Sequence, residues 1–181
     1  MDFGLNPIQQ ALRDGARRFA AAELKPGYRA RERVGAIDRK LIRAMGELGF
    51  IAPEMPVELG GSGIDVLTSG LVTEALAEGD FNIVYCQILA SLIGNCILHY
   101  ADPAVSAELI PRLCSGDAVA CIALTEPRGG SDAANLVVKA ERVGDHYVLS
   151  GEKSSISMAD QADYSLVFAR TGSAADKAYG V

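Results

Sequence analysis

Twenty-one consecutive residues, Phe81 to Ala101, carry no charged side chain, and no other feature narrows the fold as much. Such a run either crosses a bilayer, which takes about 20 apolar residues in a helix, or forms a helix buried at the centre of a helical domain. Asn82, Gln87, Asn95 and His99 interrupt it, and its flanks, Glu78, Asp80 and Asp102, are acidic. Each of those polar groups would need its own partner in hydrocarbon. The run is therefore expected as the core helix of a helical domain, without a membrane span.

The segments around it follow helical rules. Asn6-Pro7 pairs an N-cap with a proline at the first helical position, and Ile8, Ala11, Leu12, Ala16, Phe19 and Ala20 follow at helical spacing. An arginine-rich connection is expected over residues 26–36, then a helix from Asp38 that carries Leu41, Ile42, Met45 and Leu48 and stops at Gly49. Residues 51–63 hold Pro53, Pro56, Gly60, Gly61 and Gly63 and predict a loop. Further helices are expected over residues 65–78, 82–100 and, opened by Asp102-Pro103, up to Gly116.

After Gly116 the period changes. Residues 118–124 are an unbroken apolar run, residues 136–142 and 146–149 alternate with a Gly144-Asp145 turn between them, and residues 164–169 form another strand pattern. Ala178-Tyr179-Gly180-Val181 has the look of one more strand beginning. The order implies an α+β, two-domain chain: an all-α domain over residues 1–117, then a truncated antiparallel β-barrel over 118–181 with an open sheet edge.

Charge and cysteine usage exclude several function classes. The net charge is −6, with +4 in the first fifty residues and −10 in the remainder, so the basic footprint of a nucleic-acid binder is missing. Arg29, Arg31 and Arg33 with Lys25 make a local basic group, either a solvated face or an attractor for an anionic partner. Cys86, Cys96, Cys114 and Cys121 form no C-x-x-C pair and have no ligand-like spacing to His99 or His146, so neither a zinc site nor a disulfide framework is expected. The Met-Asp-Phe-Gly start carries no secretory pattern, and a cytoplasmic location is expected.

Two segments carry chemistry. In residues 123–132 an apolar strand ends in Thr125-Glu126, passes a Pro127-Arg128-Gly129-Gly130 turn and reaches Ser131-Asp132. Adjacent glycines let backbone N–H groups approach an anionic or planar ligand, and Thr125 and Ser131 add hydroxyl donors; a capped strand-end turn accounts for the same residues. In residues 151–158, Ser154, Ser155 and Ser157 bracket Ile156 with short donors, a pattern that a solvated polar strand also produces.

Taken together and in order, these segments resemble the acyl-CoA dehydrogenase family. Residues 123–132 satisfy that family's flavin-site signature up to its last position, where Asn135 replaces a small residue. Gly151-Glu152-Lys153 and Ile156-Ser157 are similar to its second flavin strand, with Ser155 in place of Trp, Ser157 of Thr and Met158 of Asn. Leu48-Gly49-Phe50, Pro53-Glu54, the 58–63 loop, Glu74 and Glu78 agree with it as well. The resemblance implies a helical domain, a middle β-barrel and a C-terminal helical bundle in a homotetramer or homodimer. It implies FAD as cofactor, an acyl-CoA substrate oxidised to the 2,3-enoyl-CoA, and an electron-transferring flavoprotein as acceptor.

Carried onto this sequence, the resemblance puts Thr125 at the pyrimidine side of the flavin, Ser157 near N5, and Gly130 with Ser131 near the pyrophosphate or the CoA arm. Ile122 and Ile156 wall the ring, and Leu124 and Ser155 complete the cofactor-contacting set. Glu126 is a scaffold residue, and the base is a glutamate in the C-terminal bundle, so the chain alone is expected to be inactive and weak in FAD. Gln87, Ser91, Asn95 and His99 recur every four residues on the apolar helix. By the resemblance Gln87 and Ser91 meet the far end of the acyl group; the alternative is amides satisfied inside the bundle. The Trp-free segment 156–163 is similar to relatives acting on alicyclic acyl-CoAs. Two other functions stay open, a non-catalytic helical interaction module and an oxygen-using acyl-CoA oxidase.

Overall fold

The computed structural model describes residues 4–172, so the strand beginning read at residues 178–181 lies outside the described residues. The chain divides into two compact units with the break between Ala120 and Cys121.

The first unit is helical. Helix α1 (Pro7–Phe19) opens on a reciprocal cap: Asn6 Oδ1 accepts from Gln9 N–H at 2.9 Å, and Gln9 Oε1 accepts from Asn6 N–H at 3.1 Å. Gln9 is itself buried, and its amide donates onward to Thr68 Oγ1 at 3.3 Å, which ties α1 to α4 (Val66–Ala77). Ile8, by contrast, points to solvent; the face of α1 that packs is Gln9, Ala16 and the following Ala20.

The connection expected over residues 26–36 contains a helix, α2 (Tyr28–Val34). Backbone from Phe19 to Lys25 stays right-handed, widens to a π turn at Ala20–Leu24 and tightens to a 3₁₀ turn at Lys25–Gly27. Pro26 has no N–H to continue an α ladder, so the helix adjusts its pitch there. Tertiary contact holds the second half. Arg31 donates to the Leu24 carbonyl, and its guanidinium pairs with Asp80 at 2.7 Å, with the carboxylate side chain 1% and the guanidinium 15% exposed. Arg31 is thus an internal partner, and no anionic ligand is needed to explain it.

Helix α3 (Arg39–Glu47) starts on Asp38, and α5 (Phe81–Tyr100) on Asp80, whose carboxylate accepts from Asn82 and Ile83 N–H as well as from Arg31. The uncharged helix α5 packs against α3, α4 and α6 (Pro103–Cys114). It is long and apolar enough to cross a membrane, and half of it is buried inside this unit, including Ile83, Val84, Leu89 and Ile93. With Ile42, Met45, Val72, Leu76, Ile110 and Leu113 these side chains form the core, each worth about 1.5–3 kcal/mol of burial.

Strand β1 (Ala120–Ala123) begins on the last residue before the break, and the second unit continues with β2 (Lys139–Val143), β3 (His146–Ser150) and β4 (Tyr164–Val167), with a 3₁₀ turn at Ala133–Asn135. Strand β1 pairs with β4 in one two-stranded sheet; β2 and β3 form an antiparallel hairpin in register Ala140 opposite Leu149. The barrel is expected truncated and open-edged, and the described residues form two two-stranded sheets and no closed cylinder. Four strands of four or five residues are too few, because a filled barrel takes about eight. Leu136 and Val138 are buried, whereas every residue of β3, the outer strand of the hairpin, is exposed.

Candidate functional site

In the second unit the two chemistry-bearing segments lie side by side. Strand β1 runs out through Leu124 and Thr125, and the chain then folds back on itself across Pro127-Arg128, with Glu126 N–H donating to the Gly129 carbonyl at 3.2 Å and Gly129 N–H to the Glu126 carbonyl at 2.9 Å. Segment 151–158 comes alongside from the end of β3. Ser154 N–H donates to the Thr125 carbonyl at 3.0 Å, and Lys153 Nζ donates to the Leu124 carbonyl at 3.0 Å and to Glu126 Oε1 at 2.9 Å.

Glu126 is the hub of this clamp. It is 3% exposed, Oε2 accepts from Val137 N–H at 2.8 Å, and Oε1 accepts from Val138 N–H at 2.9 Å in addition to Lys153. Burial alone pushes its carboxyl up, but the Lys153 ammonium and the Val138 and Val137 amides outweigh it, and the pKa lies below the ordinary carboxylate value. A carboxylate with both oxygens engaged and a lowered pKa is a poor proton acceptor, which fits the scaffold role and not that of a base.

Backbone geometry around the clamp is unusual. Gly151 has φ +137°, and a Cβ there would lie 3.0 Å from Val138 Cα, so only glycine lets the second segment close onto the strand before it. A Cβ on Gly130 would fall 2.9 Å from Thr125 Oγ1, so the turn and the hydroxyl occupy one cradle. Ser155 (φ +54°) and Met158 (φ +65°) are left-handed without being glycine, and they flank Ile156-Ser157. Ser131, Ser155 and Ser157 are exposed, and Ile122, Leu124, Thr125, Gly130 and Ile156 are half-buried. The segments therefore bring Leu124 and Thr125 against Lys153 and Ser154 by direct bonds, with Ser155, Ile156 and Ser157 on the strained stretch that follows.

Pattern places Lys153 in the second segment without assigning it a partner, and does not single out Arg170 at all. Arg170 is 4% exposed and donates to the Leu136 carbonyl at 2.9 Å and the Ala134 carbonyl at 2.5 Å, which fixes the turn after Asp132 where the signature departs at Asn135. A lone basic residue among strand-formers gives no periodic signal; only a demand for buried carbonyl partners marks it.

Gln87 and Ser91 belong to the first unit and line a groove of about 240 Å³ with Glu54, Val66, Ser69, Gly70, Thr73, Ile88, Leu92 and Asn95. Gln87 is 1% exposed. Thr73 Oγ1 carries one proton and lies 2.9 Å from both the Ser69 carbonyl and Gln87 Oε1; it donates to one and, with the amide turned over, accepts from the other. Gln87 Nε2 faces Ser91 Oγ at 3.4 Å. Glu54 accepts from Ser69 Oγ at 2.9 Å and from Asn95 Nδ2 at 3.2 Å. His99, the last of the four-residue recurrence, is exposed at the end of α5 and takes no part. Burial pushes the Cys86 thiol up to about 12 and the Cys114 thiol up to about 11, so neither is a nucleophile. Among the described residues no group of three or more His, Cys, Asp or Glu is placed to hold a metal.

Residues 6–117 match the acyl-CoA dehydrogenase N-terminal domain, and residues 121–181 match the acyl-CoA dehydrogenase middle domain. The chain belongs to the acyl-CoA dehydrogenase family. Within that family it is similar to benzylmalonyl-CoA dehydrogenase of Aromatoleum aromaticum, at 34% identity over 95% of this chain and 46% of the relative. Among solved structures it is similar to a glutaryl-coenzyme A dehydrogenase in complex with glutaryl-CoA (34% identity, TM-score 0.91, 97% of this chain and 45% of the other). It is also similar to glutaryl-CoA dehydrogenase of Mycobacterium smegmatis in complex with FADH2 (27% identity, TM-score 0.87, 92% of this chain and 43% of the other). The chain spans a little under half the length of these family members.

Proposed function

We propose that this chain supplies the helical domain and the flavin-edge segments of an FAD-dependent acyl-CoA dehydrogenase, within the domain limits 1–117 and 118–181. One observation carries the reading: Ser154 N–H on the Thr125 carbonyl, backed by the Lys153–Glu126 pair, sets the two signature segments against each other. The residues suit FAD. Gly130 against Thr125 makes a cradle that any Cβ would fill, and the exposed hydroxyls of Ser131 and Ser157 are donors for carbonyl or phosphate oxygens. Thr125 is assigned to the pyrimidine edge, Ser157 to the N5 side, Gly130 and Ser131 to the pyrophosphate or CoA arm. Ile122, Leu124, Ser155 and Ile156 are assigned to the ring wall. The strands of this unit are assigned to a middle β-barrel.

When bound, FAD supplies a two-electron acceptor for the β-hydrogen of an acyl thioester. The protein's own part is to bind the ring edge with donors and to hold Thr125 and Ser157 at fixed positions through the clamp. Abstraction of the α-proton needs a base, and Glu126 is occupied by three donors, so the base comes from outside the residues described, in keeping with a C-terminal helical bundle. Ser155 in place of the family's Trp leaves a small hydroxyl where the family has a ring. The homo-oligomer, the electron-transferring flavoprotein partner and the acyl-CoA substrate, with Gln87 and Ser91 at its far end, belong to the same proposal.

The test is to purify the product of the whole reading frame that contains this sequence. A yellow protein whose flavin bleaches under anaerobic acyl-CoA is expected. A colourless protein that stays so after soaking with FAD refutes the reading. Rapid re-oxidation by air after bleaching would point to the oxidase alternative.

A further inference from the structure

The groove on α4 and α5 has walls of Val66, Ile88 and Leu92, and a polar end of Glu54, Ser69, Thr73, Gln87, Ser91 and Asn95. Its residues include no Lys, Arg or His, and the sequence has no Lys or Arg between Arg43 and Arg112. Its one charge is the Glu54 carboxylate, held in place by Ser69 and Asn95. Gln87 and Ser91 face each other at 3.4 Å, so the neutral polar groups of the groove pair with one another.

Gly70 is the second observation. It sits in the interior of α4, where glycine costs about 1 kcal/mol against alanine, and a Cβ there meets nothing within 4 Å. No packing demand explains it. What it leaves is room in the groove wall. A cavity of about 150 Å³ lined by aliphatic side chains holds benzene, so about 240 Å³ accommodates a six-membered ring with space to spare.

We propose that this groove selects a bulky, uncharged acyl terminus and excludes a carboxylate-terminated one, with Gly70 providing the width and Glu54 enforcing the exclusion. The inference rests on the assignment of Gln87 and Ser91 to the far end of the acyl group. Its consequence is that this chain differs in substrate from the glutaryl-CoA dehydrogenases it resembles, since glutaryl carries a terminal carboxylate. A second carboxylate brought beside Glu54, with no cation among the groove's described residues, is repelled strongly enough to lower affinity by about tenfold or more.

Calorimetric titration of the FAD-loaded whole protein with pentanoyl-CoA and glutaryl-CoA, equal in carbon count, tests the exclusion. Pentanoyl-CoA is expected to bind at least about tenfold more tightly. Glu54→Gln should narrow that gap to about threefold by strengthening glutaryl-CoA binding more than pentanoyl-CoA binding. Gly70→Leu, whose Cβ meets nothing within 4 Å and whose isobutyl group takes up groove volume, should weaken cyclohexanecarboxyl-CoA about tenfold and leave acetyl-CoA, too short to reach the groove, within about twofold. Equal affinities for the five-carbon pair, or a gap untouched in a Glu54→Gln variant with native circular dichroism, overturns the selection alone. Gly70→Leu without effect on the cyclic ligand removes the groove as the binding place. Failure of every acyl-CoA to bind overturns the acyl-CoA reading and this inference with it.

Discussion

Lys153→Met isolates the clamp that joins the two signature segments. Methionine keeps most of the aliphatic stem, so the loss is the ammonium, which donates to Glu126 Oε1 at 2.9 Å and to the Leu124 carbonyl at 3.0 Å. Breaking a buried pair by removing one partner costs about 3–5 kcal/mol. The low end applies, because Glu126 keeps its two amide donors and Lys153 is 11% exposed. A loss of about 3 kcal/mol corresponds to roughly 100-fold in the opening equilibrium of this unit. Backbone hydrogen exchange reads it directly: the amides of Ser154, Val137 and Val138, bonded to the Thr125 carbonyl and to Glu126, should exchange about 100-fold faster in the variant. The amides of α5, in the other unit, should not change.

The same variant has a pH signature. The Glu126 pKa is lowered in the fold, so its contribution to stability is fully present above the unfolded carboxyl value of about 4.3 and is lost as pH falls through the folded one. Without Lys153 the upward push of burial meets only the two amides, so acid unfolding of this unit should begin at a higher pH. Acceleration below about threefold at Ser154, with no shift in the acid transition, would mean that the ion pair does not hold the segments together and that the site rests on something else.

Three further outcomes follow from single contacts. Met158 at φ +65° carries part of a left-handed penalty of about 1–2 kcal/mol, so Met158→Asn should stabilise the second unit by about 0.5–1 kcal/mol in urea titration, and a β-branched residue there should destabilise it. Asp80→Ala removes the partner of Arg31 and the cap on Asn82 and Ile83 together; a loss of about 3–5 kcal/mol, seen as a lower thermal midpoint of the helical unit, is expected, with Asp80→Asn in between because it keeps an acceptor for the cap. Gly130→Ala drives a methyl against Thr125 Oγ1, so FAD affinity of the whole protein, followed by flavin fluorescence, should fall by about tenfold.

Where local chemistry decides, the sequence was enough. Asn6-Pro7, Asp38, Asp65, Asp80 and Asp102-Pro103 each start a helix because a short acceptor side chain takes the free N–H groups of the first turn, and that demand is local. The uncharged run becomes a buried helix for a similarly direct reason. Where partners are distant the pattern is silent. Residues 28–34 look like a polar connection until Asp80, forty-nine positions on, supplies the partner for Arg31. Glu54 reaches the groove only because Ser69 and Asn95 from two different helices meet it. Strand edges were legible to within a few residues, whereas the division of the strands into two two-stranded sheets was not. Alternation specifies that a strand has two faces and says nothing of how many neighbours it finds.

Residues that break local rules stand at both candidate sites, and a third left-handed non-glycine residue, Ala52, lies in the loop before Glu54. A serine and a methionine in left-handed backbone bracket Ile156-Ser157, and a glycine in a helix interior lines an otherwise well-formed groove. Each departs from what its own element prefers by about a kilocalorie per mole. Violations of this size survive where the surrounding structure over-determines them and a ligand benefits. In the first case the over-determination is visible, in the Lys153–Glu126 clamp and the Ser154–Thr125 bond one residue upstream. In the second it is the capped helix α4, which tolerates one glycine because Asp65 accepts from both Thr68 N–H and Thr68 Oγ1 and Thr68 bonds Gln9 in turn. Strain at one place and missing volume at the other are opposite devices, one presenting a polar edge and the other making room for an apolar guest.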